Sequence, residues 1–281
     1  MRLNELAHAR RAGFTLIELL VVISIVVVLL GVSVGAVMRF RQTAADRAAD
    51  DQLKQLQIAL RLQYDTVVRD CNKDKAVPDA VIAYADNDMD RARALHTAAT
   101  LRVNFPDTFA EATAGVTVGP QTYPAKAAFK SCTGNPPPDV QAAALLYLVL
   151  MERSVGLGNS EVKATESVVN GFRVFKDPYG TPVQYYRWAQ TPGGELDAPP
   201  YTPASAKSKD PLDPVNKVLT WSAPGNTTKQ TEITNLRSAL AFKGNNRVPS
   251  VVSFGKNKTN NSFGVDDRVG FRLDREGNQG K

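Results

Sequence analysis

The sequence has few of the side chains on which most enzymes depend. Its 281 residues include two histidines and two cysteines, and aromatic residues make up 7% of the chain. His8 precedes the long apolar run and His96 falls within a predicted helix, so neither has a catalytic or metal-binding partner at a recognised spacing. Gly156-Leu157-Gly158 lacks the following helix signature of a phosphate-binding loop. We therefore predict that the protein is not an enzyme.

Long apolar runs are equally scarce. Residues 14–38 form a run that exceeds the roughly twenty residues a helix needs to cross the hydrocarbon core of a bilayer. Val140 to Met151 is too short for that and predicts a buried helix. We expect residues 14–38 to form a transmembrane helix. An ordinary secretory signal would have a shorter apolar region and an Ala-x-Ala-like cleavage site, and neither is clear here.

Basic residues flank the apolar run on both sides. Arg2, Arg10 and Arg11 precede it, and Arg39 and Arg41 follow it. The positive-inside tendency places residues 1–13 in the cytoplasm, because long trailing domains cross the membrane largely regardless of their charge. The remainder of the chain is then expected on the far side of the membrane.

Glu18 is the one ionisable side chain between Phe14 and Met38. A carboxylate at the depth of lipid tails costs roughly 2.5 to 3.5 kcal/mol, even on the lenient insertion scale. A residue with that cost is expected to have a function, and a positive charge on a neighbouring molecule would offset the cost.

The segment from Gly13 to Glu18, with its short basic leader and the apolar run behind it, resembles the type IV pilin superfamily, which includes the pseudopilins of type II secretion. The resemblance implies that residues 1–13 are a leader, that prepilin peptidase cuts after Gly13 and that the new amino terminus at Phe14 is methylated. It also implies a homopolymeric filament in which Glu18 lies beside the amino terminus of a neighbouring Phe14. The implied partners are membrane lipid, other pilin-type subunits and an inner-membrane assembly platform. An ordinary signal anchor with a chance glutamate is the alternative.

Helical spacing continues beyond the apolar run. One stripe recurs at steps of three and four, and charged residues occupy the other faces. We therefore predict one helix from Phe14 to about Asp70, in which residues 39–72 are an amphipathic continuation that packs on a globular domain. The stripe consists of Ala45, Ala49, Leu53, Leu56, Leu60, Tyr64 and Val67.

Residues 73–281 are expected to form one periplasmic globular domain with an α+β fold, in which the long helix packs on an antiparallel sheet with large loop insertions. Met89–Leu101 predicts a further helix. Residues 190–216, which are rich in proline, predict a long surface loop. The predicted strands are Gly171–Lys176, Val183–Ala189, Val218–Ser222, Val248–Phe254 and Val269–Leu273.

The segment Asp177 to Tyr186 contains a turn followed by a strand. Asp177-Pro178 favours turn initiation and Gly180 can take a positive φ. The run resembles the Asp-Pro-aromatic-Gly-x-Pro-x-x-Tyr segment of the major pseudopilin of type II secretion, and its role is predicted to be structural.

The segment from Val251 to Asp267 resembles the carboxy-terminal calcium loop of major pseudopilins. The resemblance implies Ca²⁺ held by Ser253, Asn257, Asp266 and Asp267, and such oxygen ligands suit a hard cation. The sequence departs from the family pattern, because Asn257 stands where aspartate is common and Lys256, Lys258 and Arg268 crowd the loop. A solvated asparagine-rich turn is the alternative.

Cys71 and Cys132 both fall in the exported part. An oxidising compartment would allow them to form a disulfide, which on the chain-entropy model stabilises the fold by roughly 4 kcal/mol. Two separate buried thiols are the alternative, and the spacing excludes a Cys-x-x-Cys motif.

The net charge of +6 raises the question of nucleic acid as a partner. No basic run interleaved with aromatic residues supports such binding, so we do not predict nucleic acid as a partner.

The sequence predicts a structural pseudopilin subunit of a type II secretion or related filament, anchored in the inner membrane. A type IV pilin or minor pseudopilin is the alternative within the family. A signal-anchored periplasmic binding protein or enzyme is the alternative from another class.

Overall fold

The computed structural model describes residues 15–73, 76–153, 165–188, 210, 212–240, 242, 249–257, 267–270 and 272. The chain divides into two compact units, Met1–Arg47 and Ala48–Lys281. Helix α1, Leu16–Cys71, begins in the first unit and ends in the second. The predicted long helix is confirmed.

The part of α1 within the second unit is amphipathic, as its apolar period of three and four residues requires. Leu53, Leu56 and Leu60 are 0% exposed, whereas Ile58 on the outer face is 57% exposed. Polar residues lie among the buried ones: Gln57 Nε2 donates to the carbonyl of Pro249 at 2.8 Å, and Gln57 Oε1 accepts from Val251 N at 3.0 Å. This glutamine joins α1 to the backbone of a strand almost two hundred residues later.

Three of the helices that follow α1 begin at side-chain caps. Thr108 Oγ1 accepts from Glu111 N at the start of α4, and Asn226 Oδ1 accepts from Lys229 N at the start of α6. The helices after α1 are α2 (Asp79–Tyr84), α3 (Met89–Asn104), α4 (Phe109–Ala114), α5 (Pro138–Arg153) and α6 (Thr227–Ala239), with 3₁₀ turns at Ala127–Ser131 and Gly255–Asn257.

The strands are short and pair antiparallel in three small sheets. Two are hairpins, β1 with β2 and β3 with β4, and the third has the order β5-β6-β7. The sheets and α1 give the predicted α+β, pilin-like fold. The strands are β1 (Val116–Val118), β2 (Gln121–Tyr123), β3 (Glu166–Val169), β4 (Phe172–Phe175), β5 (Gln184–Tyr186), β6 (Ser250–Ser253) and β7 (Arg268–Val269).

Two predicted helices are confirmed. The helix predicted at Met89–Leu101 is α3 and continues to Asn104. The helix predicted at Val140–Met151 is α5, and it is buried: Leu145, Leu146 and Leu150 are 0% exposed.

The strand prediction for Val218–Ser222 is wrong, because the backbone there forms turns. Asp213 Oδ2 accepts from Val218 N at 2.8 Å and from Leu219 N at 2.9 Å. A carboxylate that takes these N–H groups removes the donors that a strand ladder would need.

The predictions for two other segments are only partly right. Val269 lies in β7, but Gly270 and Arg272 are helical, so the predicted strand Val269–Leu273 does not form. Of the predicted surface loop 190–216, residues 190–209 and 211 lie outside the described residues. Asp210 and Asp213 are 0% exposed, whereas Val215 is 57% exposed, so the described end of that loop is only partly at the surface.

Candidate functional site

The amino end of α1 is held by a reciprocal cap. Thr15 Oγ1 accepts from Glu18 N at 3.2 Å, and Glu18 Oε2 accepts from Thr15 N at 2.8 Å and from the Thr15 hydroxyl at 3.0 Å. This is the Thr-x-x-Glu capping box, which satisfies N–H groups that a helix start leaves without partners. It also places the carboxylate at the positive end of the helix dipole. Glu18 therefore stabilises the helix start within its own chain, and the Thr-x-x-Glu spacing was the signal for this role.

The apolar side chains that follow Glu18 are exposed. Leu20 is 60% exposed, Leu29 is 60% and Phe40 is 76%. Ser24 and Ser33 donate their hydroxyls to the carbonyls one helical turn earlier, at 2.8 and 2.7 Å. A polar group in lipid must find its partner inside the segment, and these two do. This part of α1 therefore has the properties of a surface that contacts lipid or another helix.

No described residue packs against the glycines of this segment. A Cβ atom added to Gly31 or Gly35 would meet nothing within 4 Å. Small residues let helix backbones approach closely in a membrane. A close helix contact at these glycines would therefore need a partner other than the described residues.

The predicted cleavage residues Gly13 and Phe14 lie outside the described residues. The role of Phe14 as the amino-terminal partner of Glu18 in a neighbouring subunit stays a prediction. The structure adds that Thr15, the next residue along the chain, already bonds to Glu18.

The turn at Asp177 joins two strands of the globular unit. Asp177 Oδ1 accepts from Tyr179 N at 3.0 Å and from Thr181 N at 2.8 Å, and Gly180 has φ 82°. Ser253 donates its hydroxyl to Asp177 Oδ2 at 2.6 Å. The turn therefore has a structural role, in which it fixes β6 beside the residues that lead into β5.

Three of the four predicted calcium ligands lie within the described residues. Ser253 is buried and bonded to Asp177, Asp267 is 4% exposed, Asn257 ends a 3₁₀ turn, and Asp266 lies outside the described residues. Within the described part of the chain, no three His, Cys, Asp or Glu side chains lie close enough to hold a metal. Arg268, which the sequence placed near these ligands, pairs with Asp50 of α1. Calcium at this loop stays a prediction.

Cys71 and Cys132 are both buried and are not joined by a disulfide in this structure. The bond stays a prediction, as does the alternative of two separate buried thiols. Burial raises the pKa of the Cys132 thiol to about 11, so little thiolate is available there for disulfide exchange.

A buried ionic cluster was missed by sequence reasoning. Arg187 Nη2 lies 2.7 Å from Asp107 Oδ2, and Arg187 Nη1 lies 2.8 Å from Glu111 Oε1. Arg102 pairs with the same Glu111. Arg102 belongs to α3, Glu111 to α4, and Arg187 directly follows β5. These residues are far apart in the sequence, so no local pattern indicates that they pair. The cluster fixes the α3–α4 corner to the end of β5.

Comparison with known proteins adds one match. Residues 8–34 match the family described as "Prokaryotic N-terminal methylation motif". No curated protein and no solved structure matches the chain. The matched residues include Gly13, Phe14 and Glu18 and the first part of the exposed apolar helix. The motif marks a structural substrate of prepilin peptidase and not an enzyme, and with the apolar helix it fits a membrane-anchored, single-pass protein. The chain therefore carries a type IV pilin-like prepilin signal.

Proposed function

We propose that this protein is a pseudopilin subunit of a type II secretion or closely related filament. Prepilin peptidase cuts after Gly13 and methylates Phe14, and the mature subunit waits in the inner membrane with residues 73–281 in the periplasm. An assembly platform then draws α1 from lipid into a filament core. Growth of the filament moves cargo mechanically.

One observation carries this proposal. The first half of α1 presents apolar side chains that nothing in the described chain covers, and Leu29 and Phe40 are 60% and 76% exposed. In lipid such a surface is stable as it stands, and in a filament it is covered by the same surface of other subunits. The glycines with open space around them favour the second environment as well.

The charge of Glu18 gives the assembly a direction. Among the described residues this carboxylate accepts from Thr15, which offsets part of its desolvation, but no cation pairs with it there. The cationic amino terminus of a cleaved neighbour would neutralise it. Breaking such a buried pair typically costs about 3 to 5 kcal/mol. Cleavage would therefore be required before assembly, since it creates that amino terminus.

The choice of a secretion pseudopilin over a surface pilin is supported by the turn from Asp177 to Pro182. Its resemblance to the major pseudopilin segment extends to Tyr185 and Tyr186, which lie in β5. A minor pseudopilin at the filament tip, or a pilin in a surface fibre, would be distinguished by locating the protein in cells.

The test substitutes Glu18 and follows the subunit in membranes. Glu18→Ala should be cleaved normally, with an amino terminus at methylated Phe14, but should lose most crosslinked multimers. Glu18→Gln keeps hydrogen-bonding ability and removes the charge, so it should assemble as poorly as Glu18→Ala. Glu232→Ala, which removes an exposed glutamate of α6, is the matched control and should assemble normally.

Gly13→Leu supplies the second control. It should leave the leader attached, shown by slower migration on a gel, and should also block multimers, because the amino terminus stays far from Glu18. Normal multimers from cleaved Glu18→Ala would refute the charge pairing. An uncleaved Met1 terminus on the wild-type protein would favour a signal-anchored periplasmic protein instead.

A further inference from the structure

A cavity of about 600 Å³ opens beside the first turn of α3, within the second unit. Its apolar wall includes Val77, Ile82 and Met89, and the cations Lys73 and Arg93 lie among them. Cavities of roughly 300 to 1,000 Å³ with apolar walls and a few polar groups are typical of small-molecule sites. None of the residues that line the cavity belongs to the amino-terminal motif, and the proposed filament function makes no use of it.

Arg93 is the unusual member of this wall. Its Nε atom is buried and has no hydrogen-bond partner, and the guanidinium forms no ion pair within the described part of the chain. Lys73 differs, because its Nζ lies 2.8 Å from Asp70 Oδ1. Arg91, on the same helix, also differs: it donates to the carbonyl of Ala85 at 2.9 Å and pairs with Asp86. Arg93 is half-buried as a whole and its buried Nε lacks a partner, so an anion in the cavity would supply the partner that buried polar groups normally have.

The remaining features of the cavity restrict that partner. Met89 and Arg93 are one helical turn apart on α3, so an apolar surface and a guanidinium face the same space. A guanidinium matches a carboxylate with two parallel hydrogen bonds. Asp79, an exposed acid at the start of α2, also lines the cavity and would repel a second negative charge. The ligand should therefore carry one negative charge and a hydrocarbon body.

We propose that this cavity binds a small aliphatic monocarboxylate, with its carboxylate on Arg93 and its hydrocarbon chain against Val77, Ile82 and Met89. Binding at this cavity does not depend on filament assembly. If the proposed filament function failed its test, the binding proposal would still hold, and if the binding proposal failed, the filament function would still hold.

Methionine methyl groups provide a local readout in the detergent-solubilised full chain. The protein has four methionines, among them Met89 at the cavity and Met38 in the apolar half of α1. With ¹³C-methyl methionine, added hexanoate should shift the Met89 resonance along a saturating curve. Met38 reports partition of hexanoate into the micelle and should move little. Met89→Leu identifies the Met89 resonance by removing it.

Substitutions and matched probes then test the assignment. Arg93→Gln should raise the dissociation constant for hexanoate by at least about tenfold, the change expected when charged hydrogen bonds are lost. Its thermal unfolding should match wild type, because Arg93 bonds to no side chain in the described part of the chain. Asp79→Asn should lower the constant by about twofold to fivefold, the range for an exposed charge interaction.

The neutral 1-hexanol and the multiply charged inorganic phosphate are the comparison probes, and both should bind more weakly than hexanoate. The proposal is overturned if 1-hexanol binds as tightly as hexanoate, if Arg93→Gln binds hexanoate like wild type, or if the Met89 and Met38 resonances shift together without saturation. Tighter binding of phosphate than of hexanoate would also overturn it, since the site would then serve a different anion.

Discussion

The two halves of helix α1 are both rich in apolar residues, but only the second half buries them. Leu29, in the first half, is 60% exposed, whereas Leu56, in the second, is 0% exposed. Their polar residues differ in the same way. Ser24 donates to a carbonyl of its own helix, whereas Gln57 bonds to the backbone at Pro249 and Val251.

The charged residues of the two units differ in the same way. Arg187 has its carboxylate partners inside the chain, whereas Glu18 has a local hydroxyl and amide but no cation in the described residues. The core of the second unit is thus stabilised by contacts within the described chain, whereas the exposed apolar surface of the first unit suits lipid or another helix. The contrast separates residues that stabilise the folded subunit from residues suited to contact lipid or another molecule.

The largest stability effect should come from removing the internally paired charge. Arg187→Met should lower the free energy of unfolding by about 3 to 5 kcal/mol, because Asp107 and Glu111 would lose their shared cation. Urea unfolding followed by tryptophan fluorescence measures this, since both tryptophans, Trp188 and Trp221, lie in the second unit.

A double substitution shows whether the pairing is the cause. Arg187→Met combined with Glu111→Gln should cost less than the sum of the two single changes, because the pair is then removed together. Additive effects would mean that Arg187 contributes through packing alone. Cleavage at Gly13 should be unaffected in every variant.

The contrast between the halves can be tested with one residue type. Leu56→Ala should lower the free energy of unfolding of the second unit by about 2 to 5 kcal/mol, because it leaves a cavity in the core. Leu29→Ala should change it by less than about 0.5 kcal/mol, the range for positions outside the core. The same fluorescence-detected urea titration measures both variants. A similar loss of unfolding free energy in the two would mean that the two halves of α1 contribute equally to the stability of the second unit.

The sequence predicts what local patterns determine. The long helix and its stripe from Leu53 to Val67 follow from the 3.6-residue period, and the Thr15–Glu18 cap follows a known spacing. The amino-terminal motif is equally local. These features could be predicted because each depends on residues within a few turns of one another.

Features that depend on distant partners could not be predicted in this way. Gln57 is polar and interrupts the apolar stripe, and its buried position makes sense only beside Pro249. Val218 and Leu219 have strand-like composition, but the carboxylate of Asp213 takes their N–H groups. Tertiary contacts override local propensity at such positions.

Calcium would add an external partner to the second unit as well. We propose that Ca²⁺ binds the loop from Ser253 to Asp267. Ca²⁺ added to EDTA-treated protein at one hundred times its dissociation constant would stabilise the fold by about 2.7 kcal/mol, and the melting temperature would therefore rise. Mg²⁺ should have a much smaller effect, because its shorter bonds need stricter geometry. Asp267→Asn should remove the response to Ca²⁺, and a wild-type melting temperature indifferent to Ca²⁺ would rule the site out.

The smallest effect concerns an internal pair that depends on pH. His96 Nδ1 lies 2.8 Å from the Tyr123 hydroxyl, and burial lowers the pKa of His96 below its ordinary value of 6.5. Above that value both folded and unfolded chains keep the imidazole neutral, so the stability is fully present. As the pH falls towards the folded pKa, the unfolded chain takes up the proton first and stability is lost, at no more than about 1.4 kcal/mol per pH unit for one proton. His96→Gln keeps a polar partner for Tyr123 but cannot titrate, so urea titrations between pH 7.5 and 5 should show a shallower decline than wild type. Identical declines would mean that His96 is protonated equally easily in both states, and that its pairing with Tyr123 leaves no trace in the stability of the second unit.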